Sequence, residues 1–232
     1  MFIDWIESNS KRGYHPIKNN KKNIPQATIN RLSIYHRSLE SFIKVERSEG
    51  IETISSSKIS ELTGINPNQI RKDLSYFGEF GKRGIGYPVN DLLDGLKKIF
   101  RSSKKWDIIL AGAGNIGKAF IRYQGFPEKG FTIRSVFDSD ISKVGRAVSG
   151  IEILHIRDMV DYIRKQKIKI GMITVPAESA QDVADKMIAG GIKSILNFAP
   201  IRINHPKNVR INNIDIAIEL ERLVYYLSNE QK

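Results

Sequence analysis

"LAGAGNIGKAF", residues 110 to 120, decides how the rest of this chain is read. Gly112, Gly114 and Gly117 stand at G-x-G-x-x-G spacing, directly after an apolar run that reads as a strand, Trp106 to Ala111. They also open an amphipathic run, Ile116 to Tyr123, that reads as a helix, and this context lifts the glycines above ordinary turn glycines. Gly112 permits the tight turn, Gly114 lets the backbone approach a pyrophosphate, and Gly117 lets the helix pack closely. The phosphates of a dinucleotide would lie along Gly112, Ala113, Gly114, Asn115, Ile116 and Gly117, where open N–H groups and the helix dipole favour negative charge.

Downstream, Asp138 ends the next expected strand, Thr132 to Asp138, and is placed to accept hydrogen bonds from the adenosine ribose hydroxyls. A carboxylate there repels a 2′-phosphate, so NAD+ and NADH are expected over their phosphorylated forms, with Lys143 and Arg146 nearby weighing slightly the other way. Strands at Ile151 to Leu154, Ile170 to Val175 and Ser194 to Phe198 alternate with helices at Met159 to Lys165 and Ser179 to Ala189. That alternation predicts a parallel sheet wrapped by helices, a Rossmann-type domain over residues 104–212. "TVPAES" (174–179) and "NFAP" (197–200) fall at strand C-termini, where such sheets bind ligands, which makes Thr174, Val175 and Pro176 further candidates. Plain strand-to-helix turns are the competing reading.

Upstream the pattern differs. Residues 1–24 are polar and broken by Gly13 and Pro16, a tail with one short turn near Phe2 to Ile6. From Pro25, Ile29, Leu32, Leu39, Phe42, Ile43 and Val45 recur near helical spacing and predict a long amphipathic helix. Two short helices follow. The first is introduced by Ser55, Ser56 and Ser57 and stopped by Gly64; the second is capped by Asn66, with Pro67 at its first position, and runs to about Tyr76. Joined by "TGIN", they make a helix-turn-helix. "FGEFGKRGIGYPV" (77–89) then reads as a β-hairpin with Lys82 and Arg83 at its tip. Val89 to Phe100 closes a winged-helix domain over residues 25–103, with "RSSKK" (101–105) as linker.

Charge supports this division. The 232 residues carry a net +12, and residues 1–105 hold 19 Lys and Arg against 11 Asp and Glu, so the excess sits with the helix-turn-helix and favours a polyanionic partner. Arg71 and Lys72, early in the second short helix, are candidates for guanine edges in the major groove. Asn68, Gln69, Ser75 and Tyr76 can add base or phosphate bonds, and Lys82 and Arg83 on the wing suit the narrow minor groove of A·T-rich DNA. A solvated surface charge is the alternative for any one of them. There is no cysteine, which excludes disulfides and thiolate chemistry; no metal-ligand pattern stands out, and no apolar run reaches a membrane span. A cytoplasmic location is the expectation.

Catalytic groups are scarce. His15 and His36 precede the Rossmann half, and neither His155 nor His205 stands in a recognisable pair with a carboxylate, so a dehydrogenase is disfavoured. After the last strand comes "NNIDIAIELERLVYYL" (212–227), apolar on more than one face of a helix over residues 213–232. It packs on its own domain or buries against a second copy; a homodimer suits a palindromic operator. A basic-tailed dehydrogenase and a CoA-binding module remain as alternatives.

"IRKDLSYFGEFGKRGIGY" (70–87), "GAGNIG", "GFPEKGF", "VFDSDISKVGR", "TVPAESAQDVAD" and "GIKSILNFAPIRI" together resemble the Rex redox-sensing transcriptional repressors. The resemblance runs from about Ile24 to Leu227. It implies a homodimeric α/β protein with an N-terminal winged helix-turn-helix, a C-terminal Rossmann domain and a terminal helix swapped across the dimer, releasing operator DNA when NADH rises. It makes Arg71 and Lys72 recognition residues and 112–117 the cofactor loop. It further implies that Arg37, Tyr123 and Asp215 form a polar network responding to cofactor. Residues 1–23 exceed the family's usual N-terminus, and Ile216 stands where some members carry an aromatic residue.

Overall fold

The computed structural model describes residues 24–46, 52–78, 80–81, 84–100 and 104–230. The expected turn at Phe2 to Ile6, His15, the wing-tip residues Lys82 and Arg83, and residues 101–103 of the linker lie outside them. The chain divides into two compact units that part between Ser103 and Lys104.

The first unit is built on α1 (Gln26–Glu46), whose Leu32, Tyr35, Leu39 and Phe42 are buried, whereas Val45 is 80% exposed and does not belong to the expected core stripe. Next come β1 (Thr53–Ile54), α2 (Ser56–Thr63) and α3 (Pro67–Ser75). Of the three serines, Ser55 caps α2, accepting the Lys58 N–H at 3.0 Å, and Gly64 ends it with φ 70°. Asn66 caps α3 by accepting the Asn68 N–H at 2.8 Å.

The wing differs from the expected hairpin. β2 (Tyr87–Pro88) pairs antiparallel with β1, Ile54 facing Tyr87, so its described partner lies before the helix-turn-helix. The glycines make close approaches: a Cβ on Gly86 would meet the Ile54 carbonyl oxygen at 2.6 Å, and one on Gly81 the Gly86 oxygen at 2.2 Å. α4 (Val89–Ile99) closes the unit, and Gly95 on it leaves room for the ring of Phe80.

The second unit is a seven-stranded sheet in the order β5-β6-β4-β3-β7-β8-β9, parallel except for β5 against β6. In chain order it runs β3 (Trp106–Ala111), α5 (Asn115–Arg122), α6 (Gly125–Glu128), β4 (Phe131–Asp138), β5 (Ala147–Val148), β6 (Ile151–His155), α7 (Met159–Gln166), β7 (Ile170–Ile173), α8 (Ala177–Gly190), β8 (Ser194–Asn197), β9 (Arg210–Asn213) and α9 (Ile216–Glu230). The central strands are apolar on both faces, as sheets covered on both sides require: Ile109, Ala111, Phe137 and Ile173 join one core, Ile108, Leu110, Val136 and Met172 the other. Two differences concern where elements begin and end. Asn213, expected to open the terminal helix, instead ends the edge strand β9, and the helix begins at Ile216. β7 stops at Ile173, so Thr174 and Val175 already form the loop.

Candidate functional site

The glycine loop joins the C-terminus of β3 to α5 at the centre of the sheet. Gly112 adopts φ 100°, its N–H donates to the Phe137 carbonyl at 2.7 Å, and a Cβ there would lie 2.6 Å from the Thr174 carbonyl oxygen. Only glycine meets both demands. A Cβ on Gly117 would lie 2.0 Å from the Gly112 oxygen, so this glycine seats α5 against the turn. Gly114 is different: a Cβ there would meet nothing within 4 Å, and its backbone conformation suits any residue. The space beside it opens at the helix start, where the N–H groups of the first turn have no carbonyl partner within the helix. Asn115 and Ile116 border that space and are exposed. The loop therefore fits a pyrophosphate: two glycines build the turn, and the third leaves room for a ligand.

Asp138, 8% exposed, ends β4 beside the loop. Its Oδ2 accepts the Ala113 N–H at 2.7 Å and the Lys143 ammonium at 3.2 Å, and its Oδ1 accepts the Asp140 N–H at 2.9 Å. Burial alone would raise its pKa; the two backbone N–H bonds and Lys143 outweigh that and hold the carboxyl below its ordinary value, so it is ionised at neutral pH. Ala113, fully buried, is thus tied to the carboxylate expected to hold the ribose.

Thr174 faces the glycine loop from the turn that follows β7. Its hydroxyl lies 2.9 Å from the carbonyl oxygens of both Ala111 and Gly112, bracing the turn from behind, while Val175 is half-buried and Pro176 exposed ahead of α8. Asn197, fully buried at the end of β8, was missed at the sequence level except as part of "NFAP". Its amide nitrogen reaches the carbonyls of Ala199 and Ile201 and the Asn213 side chain, its side-chain oxygen accepts the Ala199 N–H, and its main-chain carbonyl accepts the Ile214 N–H at 2.8 Å. The glycine loop, Asp138, Thr174 and Asn197 thus lie at the C-terminal ends of the adjacent strands β4-β3-β7-β8, where an open parallel sheet receives a nucleotide.

The three described histidines hold local structure. The His155 Nδ1 accepts the Arg157 N–H at 3.1 Å, His205 lies against the Pro206 carbonyl, and His36 is buried beside Phe100 with Glu40 at 3.6 Å. Among the described residues no group of three His, Asp or Glu could hold a metal, and no helix is long and apolar enough to cross a membrane.

In the first unit α3 presents Asn68, Arg71, Lys72, Ser75 and Tyr76 on an exposed face. Arg71 donates to the Ser56 hydroxyl at 2.6 Å and to the Asn68 side chain, which props the guanidinium outward. The Ser75 hydroxyl is turned back to the Lys72 carbonyl at 2.7 Å. Gln69 is half-buried, and its amide donates to Asp73 at 2.8 Å. Asp73 itself is fully buried and accepts from Arg31, Tyr35, Thr28 and Gln69, an arrangement that sequence reading passed over because a lone Asp directly after two basic residues looks solvated.

Of the three residues grouped by resemblance, Arg37 is exposed on α1 in the first unit. In the second, Tyr123 is 52% exposed and stacks edge-on against Phe126 at 5.0 Å, and Asp215 accepts the Ala217 N–H at 3.0 Å at the start of α9. Gly125 leaves room for the Tyr123 ring, since a Cβ there would lie 2.5 Å from it.

Residues 103–201 match the family model described as "CoA binding domain", and residues 23–75 match "Putative DNA-binding protein N-terminus". The chain is 44% identical over 209 residues to the redox-sensing transcriptional repressor Rex of Desulforamulus reducens, covering 90% of this chain and 98% of that protein. It is 48% identical over 202 residues to Rex of Desulfitobacterium hafniense, covering 87% and 94%. Among solved structures it is similar to RSP in complex with β-NAD+ and operator DNA, at 36% identity and a TM-score of 0.83 over 90% of this chain and 94% of that one. It is also similar to RSP in complex with β-NADH, at 34% identity and a TM-score of 0.81 over 90% and 97%. An α/β fold that joins an N-terminal helix-turn-helix unit to a Rossmann unit, shared with these proteins along nine-tenths of the chain, places it in the Rex family of redox-sensing transcriptional repressors.

Proposed function

We infer that this chain is a cytoplasmic, homodimeric repressor that binds operator DNA and releases it when NADH binds. The observation that carries the reading is the open space beside Gly114 at the start of α5, with the ionised Asp138 at the neighbouring strand end. The relatives are named transcriptional repressors, and this supports reading the dinucleotide here as a signal and the protein as a regulator rather than an enzyme. RSP, solved with NAD+ and operator DNA and with NADH, supports the same pair of ligands here.

In this reading residues 25–103 bind DNA, residues 104–212 bind NAD(H), and residues 213–232 dimerise. Gly112 to Gly117 hold the pyrophosphate, Asp138 the adenosine ribose, and Thr174, Val175 and Pro176 border the nicotinamide end. Arg71 and Lys72 read base edges with help from Asn68, Ser75 and Tyr76, and Lys82 and Arg83 follow the minor groove of an A·T-rich palindrome. α9 exposes Ile216, Ile218, Leu220, Leu223, Val224, Tyr225, Tyr226 and Leu227, each 51–67% accessible, and a second copy of the chain covers them. An enclosed apolar pocket favours the neutral reduced nicotinamide over the cationic oxidised ring. Arg37, Tyr123 and Asp215 then form the polar switch between the two states.

The match to the CoA-binding model favours CoA as a second reading. Asp138 opposes it, because the adenosine ribose of CoA carries a phosphate that the carboxylate repels. Calorimetric titration with NADH and with CoA tests the assignment: micromolar or tighter binding of NADH alone supports it, and binding of CoA alone overturns it.

A further inference from the structure

We propose that Asp73 is a positioning residue for operator reading: it locks α3 to α1 in one orientation, and so fixes the angle at which Arg71 and Lys72 meet the base edges. The inference rests on the DNA-binding role of α3 and goes beyond the contacts assigned to it.

Asp73 is fully buried, yet neither of its oxygens lacks donors. The Arg31 guanidinium approaches as a fork, Nε to Oδ2 at 2.6 Å and one terminal nitrogen to Oδ1 at 2.8 Å. The Tyr35 hydroxyl donates to Oδ2 at 2.8 Å, and the Thr28 hydroxyl and the Gln69 amide donate to Oδ1 at 3.1 and 2.8 Å. Thr28, Arg31 and Tyr35 share one face of α1, spaced by three and four residues, so three of the four donors bind α3 to a single helix. Arg31 also donates to Thr28, which closes the network.

Apolar residues alone would hold the two helices together: Leu32, Leu39, Ile70 and Leu74 already share a core. Apolar packing tolerates small rotations and slides, whereas a two-pronged guanidinium and a planar carboxylate meet well in one geometry only. A buried ion pair contributes little net stability compared with apolar residues of similar size, so what it adds here is orientation. Asp73 lies two residues from Arg71, on the opposite side of α3, and a rotation of the helix about its axis would swing the guanidinium across the groove. The lock also makes α1 and α3 a single lever. Arg37 stands on the exposed face of α1, so whatever displaces Arg37 carries the recognition helix with it.

The test compares Asp73→Asn and Tyr35→Phe with the unaltered full chain, measuring affinity for an A·T-rich palindromic operator and for a scrambled duplex of equal length. Asp73→Asn removes one negative charge, so electrostatics alone would tighten binding to both duplexes. The proposal expects the reverse for the operator. Its affinity falls by about tenfold, comparable to losing a bidentate base contact, while the scrambled duplex changes less than about threefold. Tyr35→Phe removes one donor, keeps the ring and the fold, and shifts the same ratio by a smaller factor. NADH affinity stays unchanged in both variants.

Equal losses on both duplexes by Tyr35→Phe, or an unchanged ratio in both variants, overturns the proposal. If the unaltered chain itself fails to prefer the operator, the DNA-binding reading falls and the proposal with it. If it does prefer the operator and the variants match it, the proposal alone falls.

Discussion

Gly114 and Gly117 are three residues apart in one motif, and the structure gives them opposite consequences on substitution. In Gly117→Ala the new Cβ would lie 2.0 Å from the Gly112 carbonyl oxygen, backbone that cannot swing aside, so α5 must recede by more than 1 Å. Overpacking of that kind costs about 1–3 kcal/mol. In a unit of this size the melting temperature should drop by roughly 5–10 °C. In Gly114→Ala the backbone, at φ −76° and ψ −169°, already suits alanine, and the Cβ enters open space. Stability should rise slightly, by about 0.4–1 kcal/mol, because alanine restricts the unfolded chain. The methyl group instead occupies the approach to the open N–H groups, where a pyrophosphate must come into hydrogen-bond contact, and NADH affinity should fall by about 10- to 100-fold, or 1.4–2.7 kcal/mol. Thermal unfolding and calorimetric titration of both variants separate the two effects. A Gly114→Ala protein that binds NADH normally, or one that melts like Gly117→Ala, refutes the assignment of the open space to the ligand.

Arg71→Ala should reduce operator binding by at least about tenfold while leaving NADH binding intact, because the guanidinium is exposed and its partners Ser56 and Asn68 are exposed or half-buried; gel shift and calorimetry on the same preparation check this, and joint loss of both activities would indicate misfolding. Asp138→Ala removes the acceptor for the buried Ala113 N–H as well as the expected ribose partner, so it should both weaken NADH binding and destabilise the second unit by about 1–3 kcal/mol. Acid should loosen the first unit through Asp73. Burial alone would raise its pKa, but the bonds from Arg31, Tyr35, Gln69 and Thr28 carry it below the ordinary carboxylate value. A carboxylate with a depressed folded-state pKa contributes stability that is fully present above its unfolded value, near 3.9, and is lost as pH falls through the folded value. Unfolding curves between pH 6 and pH 2.5 should therefore steepen below about pH 4, and Asp73→Asn should remove that part of the acid sensitivity.

How much of this was legible in the sequence depended on whether the signal was local. Ser55, Asn66-Pro67 and Gly64 announce helix ends through bonds spanning two to four residues, and the short helices fall where those residues place them. The glycine loop is read as easily, since the turn, the strand before it and the helix after it are contiguous. The Asp73 network is not contiguous: its donors come from positions 28, 31, 35 and 69, and nothing near Asp73 itself separates a buried carboxylate from a solvated one. Asn197 is obscured in the same way, because its bond to Asn213 crosses sixteen residues. The two-residue strands β1 and β2 carry too few side chains to show alternation, so the wing's pairing with the segment before α2 was invisible. β9, "RINN", is a short and polar edge strand that resembles a helix lead-in until β8 supplies its hydrogen bonds.

The central claim is that the dinucleotide controls DNA affinity, and an equilibrium titration of labelled operator by fluorescence anisotropy, repeated at fixed NADH and at fixed NAD+, tests it most directly. A ligand can move the protein between two states only by its differential affinity for them, and a nearly complete shift requires a ratio on the order of 10⁴. The account predicts that micromolar NADH weakens operator binding steeply while NAD+ at the same concentration leaves it intact. Operator affinity that stays constant across the NADH series, or that falls equally with both forms, would contradict it.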